Sequence, residues 1–265
     1  MSGKTPNTFH YCFGMAEDFG GKPFSLIHYL SIVSTAKIQR PDAIYFHYAF
    51  EPAGIWWERA RPYLKLNRIT PPSNIFGVEL IHPAHRADVV RLQVLLESGG
   101  IYVDSDVLSL RSFEPLRNHP CVLGEQGIDG SEGLCNAVIL ARRNARFLRR
   151  WLDGYDPKQS LWHGFRSKGW DPYWDEMSVK YPAFLAKLYP HELHTVGPRT
   201  FFWPNWRTAD LKKLYEADGE PDPSSYCVHL WESQAFDKYL QDLNENTIRT
   251  RDTRFHRIAR RFLGP

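Results

Sequence analysis

Gly99-Gly100-Ile101-Tyr102-Val103-Asp104-Ser105-Asp106 is the stretch on which the fold turns. Two glycines break a preceding helix, a short apolar run follows, and the run ends in two carboxylates separated by one serine. Side chains at i and i+2 of a strand share a face. A strand continuing through this point would bury two like charges together without a counter-charge, which is costly. The strand is therefore expected to end at Val103, with Asp104 and Asp106 reaching a hard divalent cation directly or through water. A cation at the carboxyl end of a strand in an α/β sheet is where phosphate-bearing ligands are held. Taken alone, Asp-Ser-Asp also reads as a solvated turn.

The preceding residues change those odds. His85–Glu97 has the pattern of a helix, with Pro83 near its first turn and Gly99-Gly100 as its stop. Asp88, Arg91 and Leu95 fall on one stripe of that helix, so opposite charges lie beside a face that is otherwise apolar. As a surface ion pair, Asp88 and Arg91 would contribute only about 0.3–0.5 kcal/mol. Alternatively they accept from and donate to the hydroxyls of a polar ligand over the sheet edge.

Read together, His85-Arg86-Ala87-Asp88-x-x-Arg91-x-x-x-Leu95-x-x-x-Gly99-Gly100-Ile101-Tyr102-x-Asp104-x-Asp106 resembles the sugar-binding D-x-D signature of glycosyltransferase family 32. That group includes the α-1,4-galactosyltransferases, the yeast initiating mannosyltransferases and the catalytic domains of the large clostridial glucosylating toxins. The match spans about a tenth of the chain at many fixed positions, which makes it far more specific than a bare D-x-D. The resemblance implies an α/β fold of the GT-A type, a Rossmann-like nucleotide-diphospho-sugar transferase with a mostly parallel central sheet flanked by helices. It implies a nucleotide-sugar donor (UDP over GDP, on family frequency), a divalent metal (Mn2+ or Mg2+) and retention of anomeric configuration. It also implies roles. Asp88 and Arg91 hold the donor sugar, Asp104 and Tyr102 face the nucleotide side, and Asp104 and Asp106 are the catalytic carboxylates, with Asp106 as the principal metal ligand and Asp104 beside it.

Four further positions carry expectations from the same resemblance. Phe13, at the end of His10-Tyr11-Cys12-Phe13, stands where the family places an aromatic under the nucleobase, although a strand-end Phe is as readily core. His229, in the strand-like run Tyr226–Trp231, is expected to complete the metal shell, whereas a His among apolar residues otherwise serves as a hydrogen-bonded core residue. Trp231 is expected at the donor phosphate. Asn136 resembles a position near the donor sugar, and its alternative is turn capping. Asp129 and Glu132, in the loop before it, are placed to approach the sugar's reactive face, and neither is assigned as a nucleophile.

Composition sets wider bounds. The chain has 265 residues, 43% hydrophobic and 24% charged, which suits a soluble globular protein of one large domain. That domain is expected over 1–265, with a donor-binding half at about 1–150 and a loop-rich acceptor-side region with a C-terminal helix at about 151–265. A net charge of +3 argues against nucleic acid as a partner. Nine Trp are a surplus that serves equally as core or as pocket wall for flat-faced ligands. The four cysteines (Cys12, Cys121, Cys135, Cys227) lack C-x-x-C spacing and read as reduced apolar residues. With no apolar run of membrane-spanning or signal length, the expected location is cytoplasmic.

Along the chain, strands are predicted over Thr8–Phe13, Ala43–Tyr48, Ile75–Ile81, Cys121–Gly124 and Asn136–Leu140, besides the signature strand. Helices are predicted over Pro23–Ile38, Ile55–Ala60, His85–Glu97 and Ala145–Leu152. The alternation specifies βαβ units around a mostly parallel sheet. Residues 153–204, rich in Trp, Tyr, Pro and Gly, read as long ordered loops on the acceptor side. The arginine-rich tail from Arg249 reads as a terminal helix packing its apolar stripe, or as a basic amphipathic helix touching the inner face of a membrane if the acceptor is lipid-linked.

The activity expected is therefore metal-dependent, retaining transfer of a hexose from a nucleotide-sugar to a glycan, lipid-linked sugar or protein acceptor, in polysaccharide biosynthesis. The alternatives are a catalytically inactive nucleotide-sugar or carbohydrate-binding protein and an Asp-x-Asp phosphatase. Leu108 stands where such phosphatases carry Thr or Val, which counts against the latter.

Overall fold

The computed structural model describes residues 3–264; Met1, Ser2 and Pro265, at the limits of the expected domain, lie outside the described residues. The strands are β1 (Thr8–Phe13), β2 (Ala43–Tyr48), β3 (Lys65–Arg68), β4 (Asn74–Ile75), β5 (Val78–Glu79), β6 (Gly100–Val103), β7 (Val107–Ser109), β8 (Cys121–Gln126), β9 (Gly133–Ala141), β10 (His194–Val196) and β11 (Cys227–His229). The helices are α1 (Leu26–Gln39), α2 (Ile55–Ala60), α3 (Pro83–Ser98), α4 (Arg146–Asp153), α5 (Tyr181–Leu188), α6 (Pro198–Phe201), α7 (Thr208–Tyr215), α8 (Glu232–Ala235), α9 (Glu245–Thr250) and α10 (Arg254–Arg260). Seven strands form one sheet in the order β10-β8-β9-β6-β1-β2-β3. Every neighbouring pair is parallel except those involving β9, which runs antiparallel to both β6 and β8. This is the mostly parallel α/β architecture that the alternation of elements specifies.

Alternation along β6 divides the two cores. Ile101 and Val103 pack with α1 on one face, and Tyr102 packs with α3 and α4 on the other. All four residues of β6 are buried, as a central strand covered on both faces requires. The two glycines before it are dictated by both backbone and space. Gly99 has φ +67°, and a Cβ there would lie 2.6 Å from the backbone N of Arg143. At Gly100, with φ +121°, a Cβ would lie 2.5 Å from the Thr8 carbonyl oxygen. Helix α3 starts where Pro83 predicts, with Nδ1 of His82 accepting from the Ala84 N–H at 3.1 Å.

Four parts of the chain depart from the sequence expectation. Residues 75–81 form no strand of the main sheet but the small hairpin β4–β5, which turns at Phe76 and Gly77, both at positive φ. The edge strands β3 and β10 were not predicted, because each is short and β3 is largely polar. Within the stretch expected as loops, β10, α5 and α6 are regular. The tail is two short helices, α9 and α10, whose Ile248, Phe255, Ile258, Ala259 and Phe262 belong to the core. Three of its arginines are paired on the surface: Arg257 and Arg260 with Asp252, and Arg261 with Glu220. The apolar stripe that an amphipathic membrane helix would insert is thus already packed. Among the described residues, no helix is long and apolar enough to cross a membrane.

A file of hydrogen bonds crosses the sheet from β3 to the glycine turn. The Gly99 carbonyl accepts from Nε2–H of His10 (3.1 Å), which leaves Nδ1 of His10 to accept from Nε2–H of His47 (3.0 Å). Nδ1 of His47 then accepts from the side-chain amide of Asn67 at 2.9 Å. Each ring is neutral with one tautomer, so protonation would break the file. Burial holds both rings down to about 4, and for His47 the neighbouring His10 pushes in the same direction. Because the folded-state values lie below the unfolded value of 6.5, the unfolded chain binds more protons. The resulting stability is complete above pH 6.5 and is lost as pH falls from 6.5 towards 4. The loss is on the order of 3 kcal/mol per ring. His256, also near 4, adds to the same window. The expected outcome in urea titrations over this range is a shallower pH dependence for the double variant His10→Gln/His47→Gln than for the unaltered chain. Equal slopes would show that the file does not govern acid stability.

Candidate active site

The end of β6 is fixed by the Asp104 N–H, which donates to the Ala137 carbonyl of β9 at 2.8 Å. A tight turn follows, with the Val107 N–H donating to the Asp104 carbonyl at 3.1 Å. β7 then pairs antiparallel with β11, placing Val107 opposite His229. That pairing carries His229 to Asp106 from 123 residues away, with Nε2 at 3.1 Å from Oδ1. The other carboxylate oxygen of Asp106 accepts from the Glu232 N–H at 2.8 Å. One ligand atom from each of Asp104, Asp106 and His229 lies within 4.8 Å of the others. Two carboxylate oxygens and an imidazole nitrogen suit a hard to borderline divalent cation such as Mn2+ or Mg2+.

Arg91 organises the adjacent wall. Its guanidinium lies 3.2 Å from Oδ1 of Asp88 and 3.1 Å from Oδ1 of Asp104. It donates to the Asn136 carbonyl at 2.9 Å and sits 4.4 Å above the centre of the Tyr102 ring. The Tyr102 hydroxyl donates to Asp104 at 2.7 Å, and the Asn136 amide donates to Asp88 at 2.7 Å. Asp88 and Arg91 are therefore not a surface pair but the centre of a buried polar network.

This environment drives the two aspartates apart. Burial raises Asp104; Arg91 opposes the rise, and the nearby Asp106 charge adds to it. Burial also pushes Asp106 upward, but His229 and the Glu232 N–H outweigh it and hold the carboxyl at about 2. Burial would lower His229, yet the Asp106 charge and hydrogen bond raise it above its usual value. Arg91 stays charged despite burial because three acidic or phenolic neighbours surround it.

A cleft of about 540 Å³ opens over these groups, lined among others by Arg91, Tyr102, Asp104, Asp106, His229 and Trp231. Six of the residues singled out in the sequence thus meet at this cleft. Phe13 does not line the cleft. It shares the α1 face of β1 with Phe9 and Tyr11, and its ring packs there against Phe24, His28 and Phe46. Trp231 lies 4.0 Å from the His229 ring, and its indole N–H donates to the Pro204 carbonyl at 2.9 Å. Tyr102 is fully buried and acts by supporting Asp104. Asp88 and Asn136 stand behind Arg91 and position it. Glu132 is bound to Trp206, Arg207 and Gln126, and Asp129 caps the Ser131 N–H. All four cysteines are buried and free. Sequence reasoning missed Lys22, His82, Trp170, Trp174, Trp206 and Glu232, all on the cleft wall. The Trp170-x-x-x-Trp174 spacing in an aromatic-rich segment was their one available signal.

A family model described as a glycosyltransferase sugar-binding region containing a DXD motif matches residues 31–123. The chain is 35% identical over 272 residues to Glucan organizing enzyme 1 of Cryptococcus neoformans var. grubii, across 98% of this chain and 71% of that protein. Among solved structures, it is similar to the galactosyltransferase LgtC in complex with donor and acceptor sugar analogs, at 12% identity and a TM-score of 0.47 over 97% of both chains. It is also similar to the PaToxG glycosyltransferase, at 17% identity and a TM-score of 0.45 over 71% of both chains.

The buried network makes a stability prediction. Arg91→Ala leaves two carboxylates without their shared cation and is expected to destabilise the chain by about 3–5 kcal/mol. Asp88→Asn removes a charge but keeps a polar group beside Asn136, and should cost less. Urea unfolding of the two variants checks the order; an Arg91→Ala loss under about 1 kcal/mol would place the network at the solvated surface.

Proposed function

The chain belongs to the glycosyltransferase family defined by the DXD sugar-binding region, and from that membership we propose a metal-dependent, retaining hexosyltransferase acting on a nucleotide-diphospho-sugar. UDP is the proposed nucleotide. The proposed acceptor is a glycan, and the name of the Cryptococcus relative favours glucan synthesis as the setting. The observation that carries the reading is the convergence of Asp104, Asp106 and His229 beside the cationic Arg91 on one cleft wall.

The residues divide the work. Asp106 holds its negative charge across the neutral range, as its low pKa requires. Arg91, fixed from behind by Asp88 and Asn136, presents a cation that neither burial nor neutral pH can discharge. Together with Asp104 it is placed to fix sugar hydroxyls, and such positioning removes much of the entropic part of a barrier. Lys22 adds positive charge to the same cleft, against a departing diphosphate. A divalent cation held by Asp104, Asp106 and His229 would supply the Lewis acid that neutralises the charge developing on that leaving group. Retention by front-face attack, with the departing phosphate oxygen accepting the acceptor's proton, needs no side-chain base.

Asp104→Ala and Asp106→Ala are each expected to reduce sugar transfer and Mn2+-dependent donor hydrolysis by at least about a hundredfold. A panel of nucleotide-sugars is the substrate set, with the anomeric configuration of the product read by NMR. Robust turnover in either variant at saturating Mn2+, or an inverted product, would overturn the assignment. Turnover of phosphomonoesters would indicate a phosphatase, and donor binding without hydrolysis or transfer would indicate an inactive binding protein.

A further inference from the structure

Three of the tryptophans on the cleft wall have no part in the donor machinery. Trp170 is 69% exposed, and its ring stacks on Trp174 with centroids 3.9 Å apart and planes 15° from parallel. Trp174 is held in turn by the start of α3: its ring lies 4.7 Å from those of His82 and His85, and Nε2 of His85 donates to its carbonyl at 3.3 Å. Trp206 is 37% exposed, and its indole N–H donates to Glu132 at 2.8 Å. Glu132 also binds Arg207 and Gln126, so this second ring is fixed just before β9.

Large aromatic faces left in water are unfavourable, and a built stack of them in a cleft marks a binding surface. On the transferase reading other residues hold the donor. In parallel α/β sheets the nucleotide lies over the carboxyl ends of the strands near the switch point, here β1 and β6, and the donor sugar falls to Arg91 and Asp104. The tryptophans are anchored by other elements, at the start of α3 and just before β9. The chemistry specifies a pyranose. Its C–H faces stack on an aromatic plane while its rim of hydroxyls needs polar partners, and Gln126, Asp175 and Gln234 line the same cleft. A gluco-configured ring has equatorial hydroxyls and leaves both faces flat, whereas the axial hydroxyl of mannose or galactose interrupts one. Because both rings are held in place before the ligand arrives, little side-chain entropy is lost on binding.

We propose that Trp170, backed by Trp174, and Trp206 form the acceptor subsite and bind gluco-configured residues of a glucan chain. This deepens the transferase reading and rests on it. The test uses the full chain and titrates linear glucohexaoses of β-1,3, β-1,4 and β-1,6 linkage by calorimetry, with mannohexaose as the comparison. At least one glucohexaose is expected to bind more tightly than mannohexaose. Trp170→Ala and Trp206→Ala should each weaken that binding about tenfold, with Trp170→Phe restoring most of it. In turnover, Trp170→Ala should lower the ratio of transfer to donor hydrolysis by a similar factor, through the acceptor KM rather than kcat. Thermal melts confirm that these exposed positions leave the fold intact. The proposal fails if no glucohexaose outbinds mannohexaose, if Trp170→Ala binds like the unaltered chain, or if a protein proves to be the acceptor. If the unaltered chain hydrolyses no nucleotide-sugar, the transferase reading fails, while the binding data still decide the subsite.

Discussion

The site depends on one buried cation. Arg91 sits between Asp88 and Asp104, over the face of Tyr102, and accounts for the charge of both carboxylates in a place where neither could stand alone. Remove it in thought and Asp104 has no reason to remain ionised, Asp88 has lost its partner, and the end of β6 cannot carry two aspartates. The guanidinium suits this position better than an ammonium would, because its planar fork serves two carboxylates and a carbonyl while its face lies on an aromatic ring. The local fold follows from the same need. α3 must end on Gly99 so that β6 starts at once, and β6 must end at Val103 so that Asp104 turns back towards the helix that carries Arg91.

Asp104 and Asp106 look equivalent in the sequence and differ sharply in the protein. Asp104 belongs to the arginine wall and stays partly open to the cleft. Asp106 belongs to the β7–β11 pair, where a histidine and a backbone N–H hold its charge. One serine between them suffices for this division, because the chain turns there from one structural unit into another.

Much of this was legible in the sequence. The signature helix, its glycine stop and the strand end were readable because each is encoded by residues adjacent in the chain, and Gly99, Gly100 and Pro83 have few alternative uses. The partnership of Asp106 with His229 was reached only through family resemblance, since a separation of 123 residues leaves no local trace. Phe13 packs as the core residue that was its alternative reading; residue type alone does not say which face of β1 it takes, and its two-residue spacing from Tyr11 and Phe9 was the available signal. Trp231 fell near its expected place with its N–H committed elsewhere, a matter of one hydrogen bond to Pro204. β3 was missed because an edge strand exposed to water need not be apolar, and its Lys-Leu-Asn-Arg sequence carries no strand pattern.

The pairing of β7 with β11 has a consequence for how the protein comes into being. The Arg91 network is built by elements from α3 to β9, all of which precede β11 in the chain. His229 arrives only when most of the chain has been made, and it must close a loop spanning nearly half the molecule before it meets Asp106. Contacts of that range form late in folding. A chain cut before β11 would thus carry the Arg91 network without His229 beside Asp106. Any ion that bridges Asp106 and His229 would then act as a clasp on that closure, favouring the assembled chain by mass action.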